Sequence, residues 1–302
     1  MVPGTIGTST RPETSWLSGA DVRLLQRESP AFRPGEDVNG ASRGFGREWS
    51  LAALERGDRV AATARTPSDL DDLVERHGDA VLPLRLDVND RDAGFAAVRQ
   101  AAGHFGRLDV LVNNAGYGHF GMIEELSESD VRDQMETNFF GALWITQAAL
   151  PIMRGQGSGH IVQVSSIGGI SAFPGVGAYH ASKWALEAFS QSLAQEVEQF
   201  GIHVTLIEPG GYATDWGGAS ASRSDGLEAY DELRNKPRVS ASAKGDPAAT
   251  RSPILRIVDT VPPPPRVFFG KLPLEIAEKD YAARLETWRA WQPVALEAHG
   301  ED

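Results

Sequence analysis

The 302-residue chain contains no cysteine. Disulfides, thiolate nucleophiles and cysteine-based zinc sites are thereby excluded, which suits a reducing compartment such as the cytoplasm. Positive charge is also scarce: 29 Lys and Arg face 41 Asp and Glu, for a formal net charge of -12. That balance argues against nucleic acid or an anionic membrane surface as the main partner. No apolar run approaches the roughly 20 residues that cross a bilayer, and the first residues lack the basic-then-apolar layout of a signal peptide. The 7 histidines are scattered, without metal-ligand spacing. At 41% hydrophobic and 23% charged residues, the composition is that of an ordinary soluble protein with a substantial core.

What is present is an alternation. Short β-branched runs at Arg59–Ala64, Val81–Leu86, Leu108–Val112, His160–Val164, His203–Ile207 and Arg266–Phe269 read as strands. Helical patterns fill the intervals at Ser68–His77, Asp92–Phe105, Ser127–Met153 and Tyr179–Phe200, and the tail Leu274–Leu296 carries Tyr281, Leu285 and Trp288 at helical spacing. That apolar stripe reads as core or subunit packing. Ser127 and Asp130 resemble a capping box. The pattern predicts a single α/β domain over residues 39–302, a doubly wound parallel sheet with helices on both faces. Residues 1–38 fall outside this scheme as an atypical segment. Residues 215–250, rich in Ala, Ser and Gly, read as a mobile excursion suited to a substrate lid.

Within this frame, Tyr179 and Lys183 are four residues apart and share one helix face. An ammonium beside a phenol favours the phenolate and brings it toward proton-transfer chemistry. Ser166 follows a predicted strand and offers a hydroxyl to a reacting carbonyl or alcohol oxygen; capping the strand end is the plainer use. Gly40-Ala41-Ser42-Arg43-Gly44-Phe45-Gly46 precedes a helical stretch, and glycines so spaced let backbone N–H groups approach a pyrophosphate. Arg65 lies just after the next strand, where an arginine takes a 2′-phosphate, and Arg43 adds a second positive charge. Together these favour NADP(H) over NAD(H); a pair of solvated surface arginines is the alternative.

The residues then resemble the short-chain dehydrogenase/reductase family over about 39–215. Gly40, Gly44 and Gly46 look like its glycine motif. Asp87-Val88 looks like its adenine-contacting pair, and Asn113-Asn114-Ala115-Gly116 like the motif whose backbone lies along the cofactor. Asn138, Ser166, Tyr179 and Lys183 correspond to its catalytic set, and Pro209-Gly210 with Thr214 to its nicotinamide-side motif. The resemblance implies an oxidoreductase in which Tyr179 exchanges a proton with the substrate oxygen, Ser166 holds that oxygen, Lys183 tunes the tyrosine and Asn138 holds a relay water. It also implies a homodimer or homotetramer. Tyr117, His119, Phe120, Phe173, Pro174, Tyr212 and Trp216 fall where the family borders its substrate pocket, so a small apolar carbonyl or alcohol compound is expected. Epimerisation or dehydration of a nucleotide sugar fits the glycine spacing less well.

One departure stands out. The residues before Gly40, Ala31 to Asn39, include Pro34 and the charges of Arg33, Glu36 and Asp37, which do not belong in a strand buried on both faces. The first strand is thus degenerate, as if replaced through an altered reading frame or start site. That loss would weaken folding and cofactor binding by several kcal/mol, and it leaves a cofactor-binding regulatory protein or an impaired enzyme as the alternative reading.

Overall fold

The structure, a computed structural model, describes residues 15–19 as backbone and residues 44–218, 221–236 and 244–300. Chain order runs β1 (Ser15–Gly19), α1 (Gly44–Arg56), β2 (Arg59–Ala64), α2 (Asp71–His77), β3 (Val81–Arg85), α3 (Arg91–Phe105), β4 (Val110–Asn113) and β5 (His119–Phe120). It continues through α4 (Glu128–Met135), α5 (Gly141–Gln156), β6 (Gly159–Val164), α6 (Gly177–Val197), β7 (Ile202–Pro209), β8 (Ser222–Arg223), α7 (Asp231–Arg234) and α8 (Arg251–Asp259). β9 (Arg266–Phe269), α9 (Pro273–Ala290) and α10 (Gln292–His299) complete it.

Seven strands form a parallel sheet in the order β3-β2-β1-β4-β6-β7-β9. The inner strands β2, β4, β6 and β7 bury both faces, and the side-chain alternation divides the core in two. Val60, Ala62, Val112 and Val162 pack beneath α1 and α8 with Trp49 and Ile254. Ala61, Leu111 and Ile161 pack on the other side with residues of α3, α5 and α6 such as Val98, Ile145 and Leu193. The predicted doubly wound architecture is therefore present, and every strand read from the sequence appears within a few residues of its expected place. The strand order reverses direction between β1 and β4, the point where such sheets bind nucleotides outside their carboxyl ends.

The degenerate first strand takes an unexpected form. The central position is filled by Ser15–Gly19, paired with β2 through Gly19↔Thr63 and with β4 through Gly19↔Asn113. It is five residues long, and residues 20–43 separate it from the helix that should follow at once. The segment Asp21–Arg27, read as a short helix or strand, lies outside the described residues.

The single long helix expected over Ser127–Met153 is divided. The capping box opens α4 as expected, with Asp130 N donating to Ser127 Oγ at 3.1 Å and Ser127 N to Asp130 Oδ2 at 2.9 Å. A π-helical turn, Glu136–Phe140, then separates α4 from α5. Such turns commonly mark functional positions because they redirect one side chain, and the side chain here is Asn138. A short parallel pair, β5 with β8, was missed. It joins the 215–250 excursion to the segment after β4, as does the bond from Leu227 N to Glu125 Oε1 at 2.8 Å. The tail stripe does not enter the core: Tyr281, Leu285 and Trp288 are exposed. α9 buries Pro273 and Ala277 near its start, and further along Asp280 accepts from Ser171 Oγ at 3.0 Å and Arg284 lies over Trp184.

Candidate active site

Tyr179 and Lys183 lie one turn apart near the start of α6 and are buried, at 7% and 4% exposure. Ser166 follows β6 and caps a 3-10 turn, its Oγ accepting from Gly168 N at 3.0 Å. The plain capping role is therefore real, yet the same hydroxyl also hydrogen-bonds the Tyr179 phenol and lies 3.4 Å from the Pro209 carbonyl. β6, α6 and β7 thus deliver three predicted site residues to one place.

Asn138, projected by the π turn, is 1% exposed. Its Nδ2 donates to Tyr117 O and to Ser182 Oγ, each at 3.0 Å, and its Oδ1 accepts from Tyr117 N at 3.0 Å. These bonds lock the chain just after Gly116. A Cβ on Gly116 would sit 3.1 Å from Asn138 Oδ1 and 3.4 Å from Lys183 Nζ, so only glycine leaves backbone this close to both groups. Lys183 Nζ donates to Val164 O at 2.8 Å.

The electrostatics depart from expectation. The neighbouring lysine was expected to draw the tyrosine toward its phenolate. Instead burial pushes the phenol up to about 12, with the Ser166 hydrogen bond pulling the other way. Tyr179 is therefore held protonated, the state required of a proton donor. The aromatic cover explains the burial: Trp216 meets Tyr179 edge-on with centroids 4.9 Å apart, and Phe120 lies 5.3 Å from Trp216.

His180, next to the tyrosine, was passed over in the sequence. Its Nε2 accepts from Phe173 N at 2.9 Å, which leaves Nδ1 to donate to Gly168 O at 2.8 Å. Burial holds it below the usual histidine range. This neutral ring pins the turn after Ser166 against the helix bearing Tyr179. Its place beside the tyrosine was the available signal.

Of the residues expected at the pocket border, Trp216 stands over Tyr179 and Phe120 packs against Trp216. His119 is buried, with its Nε2 2.7 Å from Ser224 Oγ, and so ties β5 to the chain after β8. Phe173 lies against His180. Tyr212 packs against Phe45 instead, 4.9 Å away over α1.

Of the residues expected to hold a cofactor, Arg65 follows β2 and Asn114, Ala115 and Gly116 follow β4. A small crevice there is lined by Thr63, Leu86, Val88, Asn114, Ala115 and Gly141. Asp87 begins the adjoining turn, accepting from Asn89 N at 3.0 Å. Arg65 follows β2 and is half-buried. Gly44 opens α1 with φ +68, a conformation open to glycine at little cost, and Thr214 Cγ2 lies 3.6 Å from where its Cβ would be. Gly46 is buried in the first turn of α1. Gly210 N donates to Phe269 O at 2.8 Å, which fixes the end of β7 beside the site. Gly40, Ser42 and Arg43 lie outside the described residues. The glycine-lined helix start, the crevice and the bare backbone at Gly116 fit a dinucleotide laid along the sheet edge. Among the described residues there is no His/Asp/Glu group that could hold a metal ion.

A sequence profile described as short chain dehydrogenase matches residues 38–225. The chain belongs to the short-chain dehydrogenase family. Over 265 residues it is 40% identical to the oxidoreductase BOA17 of Botryotinia fuckeliana, covering 86% of this chain and 97% of that one. A solved short-chain dehydrogenase from Streptomyces avermitilis superposes with a TM-score of 0.83 at 35% identity, over 95% of this chain and 99% of the other. The 3-ketodihydrosphingosine reductase of Bacteroides thetaiotaomicron is 41% identical over 59% of this chain and 63% of that protein. As a short-chain dehydrogenase, the chain is an oxidoreductase with a nucleotide-binding fold that acts on a small molecule.

Proposed function

We propose that the protein transfers hydride between NADP(H) and a carbonyl or alcohol substrate, with Tyr179 as general acid and base. The observation that supports this reading is the pairing of Ser166 with Tyr179, one turn from Lys183, which with Asn138 flanks the Gly116 backbone. Reduced nicotinamide, when bound, supplies the hydride. Gly44, Gly46, Val88, Asn114, Ala115, Gly116, Pro209, Gly210 and Thr214 would hold the cofactor along the edge from α1 to β7, with Asp87 at the adenosine end. Arg65, with Arg43, favours a 2′-phosphate.

Tyr179, kept protonated by burial, gives its proton to the substrate oxygen, and Ser166 donates a hydrogen bond to the same oxygen as negative charge develops. The Lys183 ammonium then stabilises the phenolate left behind. Asn138 holds the backbone of Tyr117 and a path for a relay water through which the tyrosine is reprotonated. Phe120 and Trp216 favour an apolar or aromatic substrate. The name of the Bacteroides relative, a ketone reductase, agrees with a carbonyl group.

A homodimer or homotetramer is proposed, with α6 in the interface. A cytoplasmic location is proposed from the absence of cysteine. No helix among the described residues is long and apolar enough to cross a membrane.

A second reading, a cofactor-binding or impaired protein, draws on the separation of β1 from α1 by residues 20–43. Following NADPH absorbance against a panel of aldehydes, ketones and quinones separates the two. Turnover of any member by the purified chain supports the enzyme. NADPH binding with no turnover across the panel supports the second reading.

A further inference from the structure

Two buried carboxyls lie behind the site and take no part in the reaction above. Glu187 stands one turn beyond Lys183 on α6 at 5% exposure, and Glu208 is the next-to-last residue of β7, just before Pro209, at 1%. Arg266 of β9 reaches both: its Nη1 is 2.9 Å from Glu208 Oε1 and forms an ion pair with Glu187. Its Nη2 lies 3.2 Å from Gln191 Oε1.

The cluster touches the catalytic turn. A Cβ on Gly169, in the turn capped by Ser166, would lie 2.9 Å from Glu187 Cγ and 3.2 Å from Lys183 O. Glu187 therefore packs beside the backbone of the lysine itself. The charged groups facing the pair are Lys183 from α6 and Arg266 from β9, and each carboxyl faces the other across α6 and β7.

We propose that Glu187 and Glu208 share one proton and act as positioning residues for Lys183, setting the charge on which its ammonium rests. The proposal rests on the reaction assigned above. Two carboxylates crowded out of water cannot both ionise readily, and their titration belongs to the pair. Burial, followed by the charge of Glu187, pushes Glu208 up to about 7, and burial raises Glu187 as well. With one proton on the pair, the two carboxyls and Arg266 are neutral together. Once that proton leaves, they carry a net negative charge that offsets part of the lysine's positive field. Its hold on the Tyr179 phenolate then weakens as pH rises through neutrality.

The test uses full-length protein with carbon-13 in the glutamate carboxyls, beside the isosteric variant Glu208→Gln. Wild type is expected to show one glutamate carboxyl titrating near pH 7 that is missing from the variant. The wild-type pH profile of kcat/KM is expected to show a limb near that pH that vanishes in Glu208→Gln, while the melting temperature stays close to wild type. If no wild-type carboxyl titrates near neutrality, the shared proton is overturned, whatever the activity. If the carboxyl titrates as expected but the variant keeps the limb, the coupling to Lys183 is overturned while the proposed reaction stands. Turnover that survives Tyr179→Phe would instead overturn the reaction, and this inference with it.

Discussion

Trp216 lies edge-on against Tyr179, with ring centroids 4.9 Å apart, and helps close the phenol off from solvent. Removing the indole should admit both water and bulkier substrates. In Trp216→Ala, the Tyr179 phenol is expected to fall from about 12 toward the ordinary tyrosine value of about 10. The alkaline limb of kcat/KM should move down with it, and KM for ketones with branched or aromatic substituents should fall. Tyrosinate absorbance titration and a substrate series check this; an unmoved phenol would mean that Trp216 is not what keeps water out.

Ser166→Ala removes one donor to the developing oxyanion and the cap of the turn after β6. A loss of about 10² to 10³ in kcat is expected, with little change in KM for NADPH. Steady-state kinetics decide it: a loss confined to KM for the ketone would assign Ser166 to ground-state binding alone.

Stability should fall in mild acid because of a histidine far from the reaction. His160 in β6 is 7% exposed, and its Nε2 lies 2.8 Å from Thr205 Oγ1, which itself donates to Pro264 O at 2.7 Å. Burial, reinforced by His203, depresses it from 6.5 to about 4. A depressed folded value means that the unfolded chain binds the proton more readily. The stabilisation is whole above pH 6.5 and is lost as pH falls toward 4, by about 3 kcal/mol. Urea midpoints across this range should converge for wild type and His160→Gln. A difference that does not change with pH would contradict the assignment.

The separation of β1 from α1 suggests a deletion. The dipeptide Gly-Ala occurs at 19–20 and again at 40–41, so removing residues 20–40 joins Gly19 to Ala41 and leaves a strand running straight into Ala41-Ser42-Arg43-Gly44-Phe45-Gly46. Shortening the connection should stabilise the fold by about 2 kcal/mol through closure entropy alone, or several degrees in melting temperature. NADPH should also bind more tightly. Calorimetry on the deleted chain checks both, and weaker binding would show that residues 20–40 assist the cofactor.

Much of this was readable before the fold. Leu108–Val112 and His160–Val164 are rich in apolar residues on both faces because an inner parallel strand needs little polar alternation. Tyr179 and Lys183 were visible because a fixed helical spacing ties them together. The division at Glu136–Phe140 was hidden, since its cause is a set of bonds from Asn138 to Tyr117 and Ser182, distant in sequence. The β1 position was hidden for a different reason: a strand feeding a glycine turn is expected directly before Gly40, whereas the pairing partners of Thr63 and Asn113 come from residues 15–19. The state of Tyr179 escaped as well, because spacing to Lys183 says nothing about how thoroughly Trp216 excludes water.

If Tyr179 supplies the proton, Tyr179→Phe, with turnover and NADPH binding measured on the same preparation, should lose about 10² to 10⁴ in rate while cofactor affinity and melting temperature stay near those of wild type. Turnover at the wild-type rate in that variant would mean that Tyr179 is not the acid.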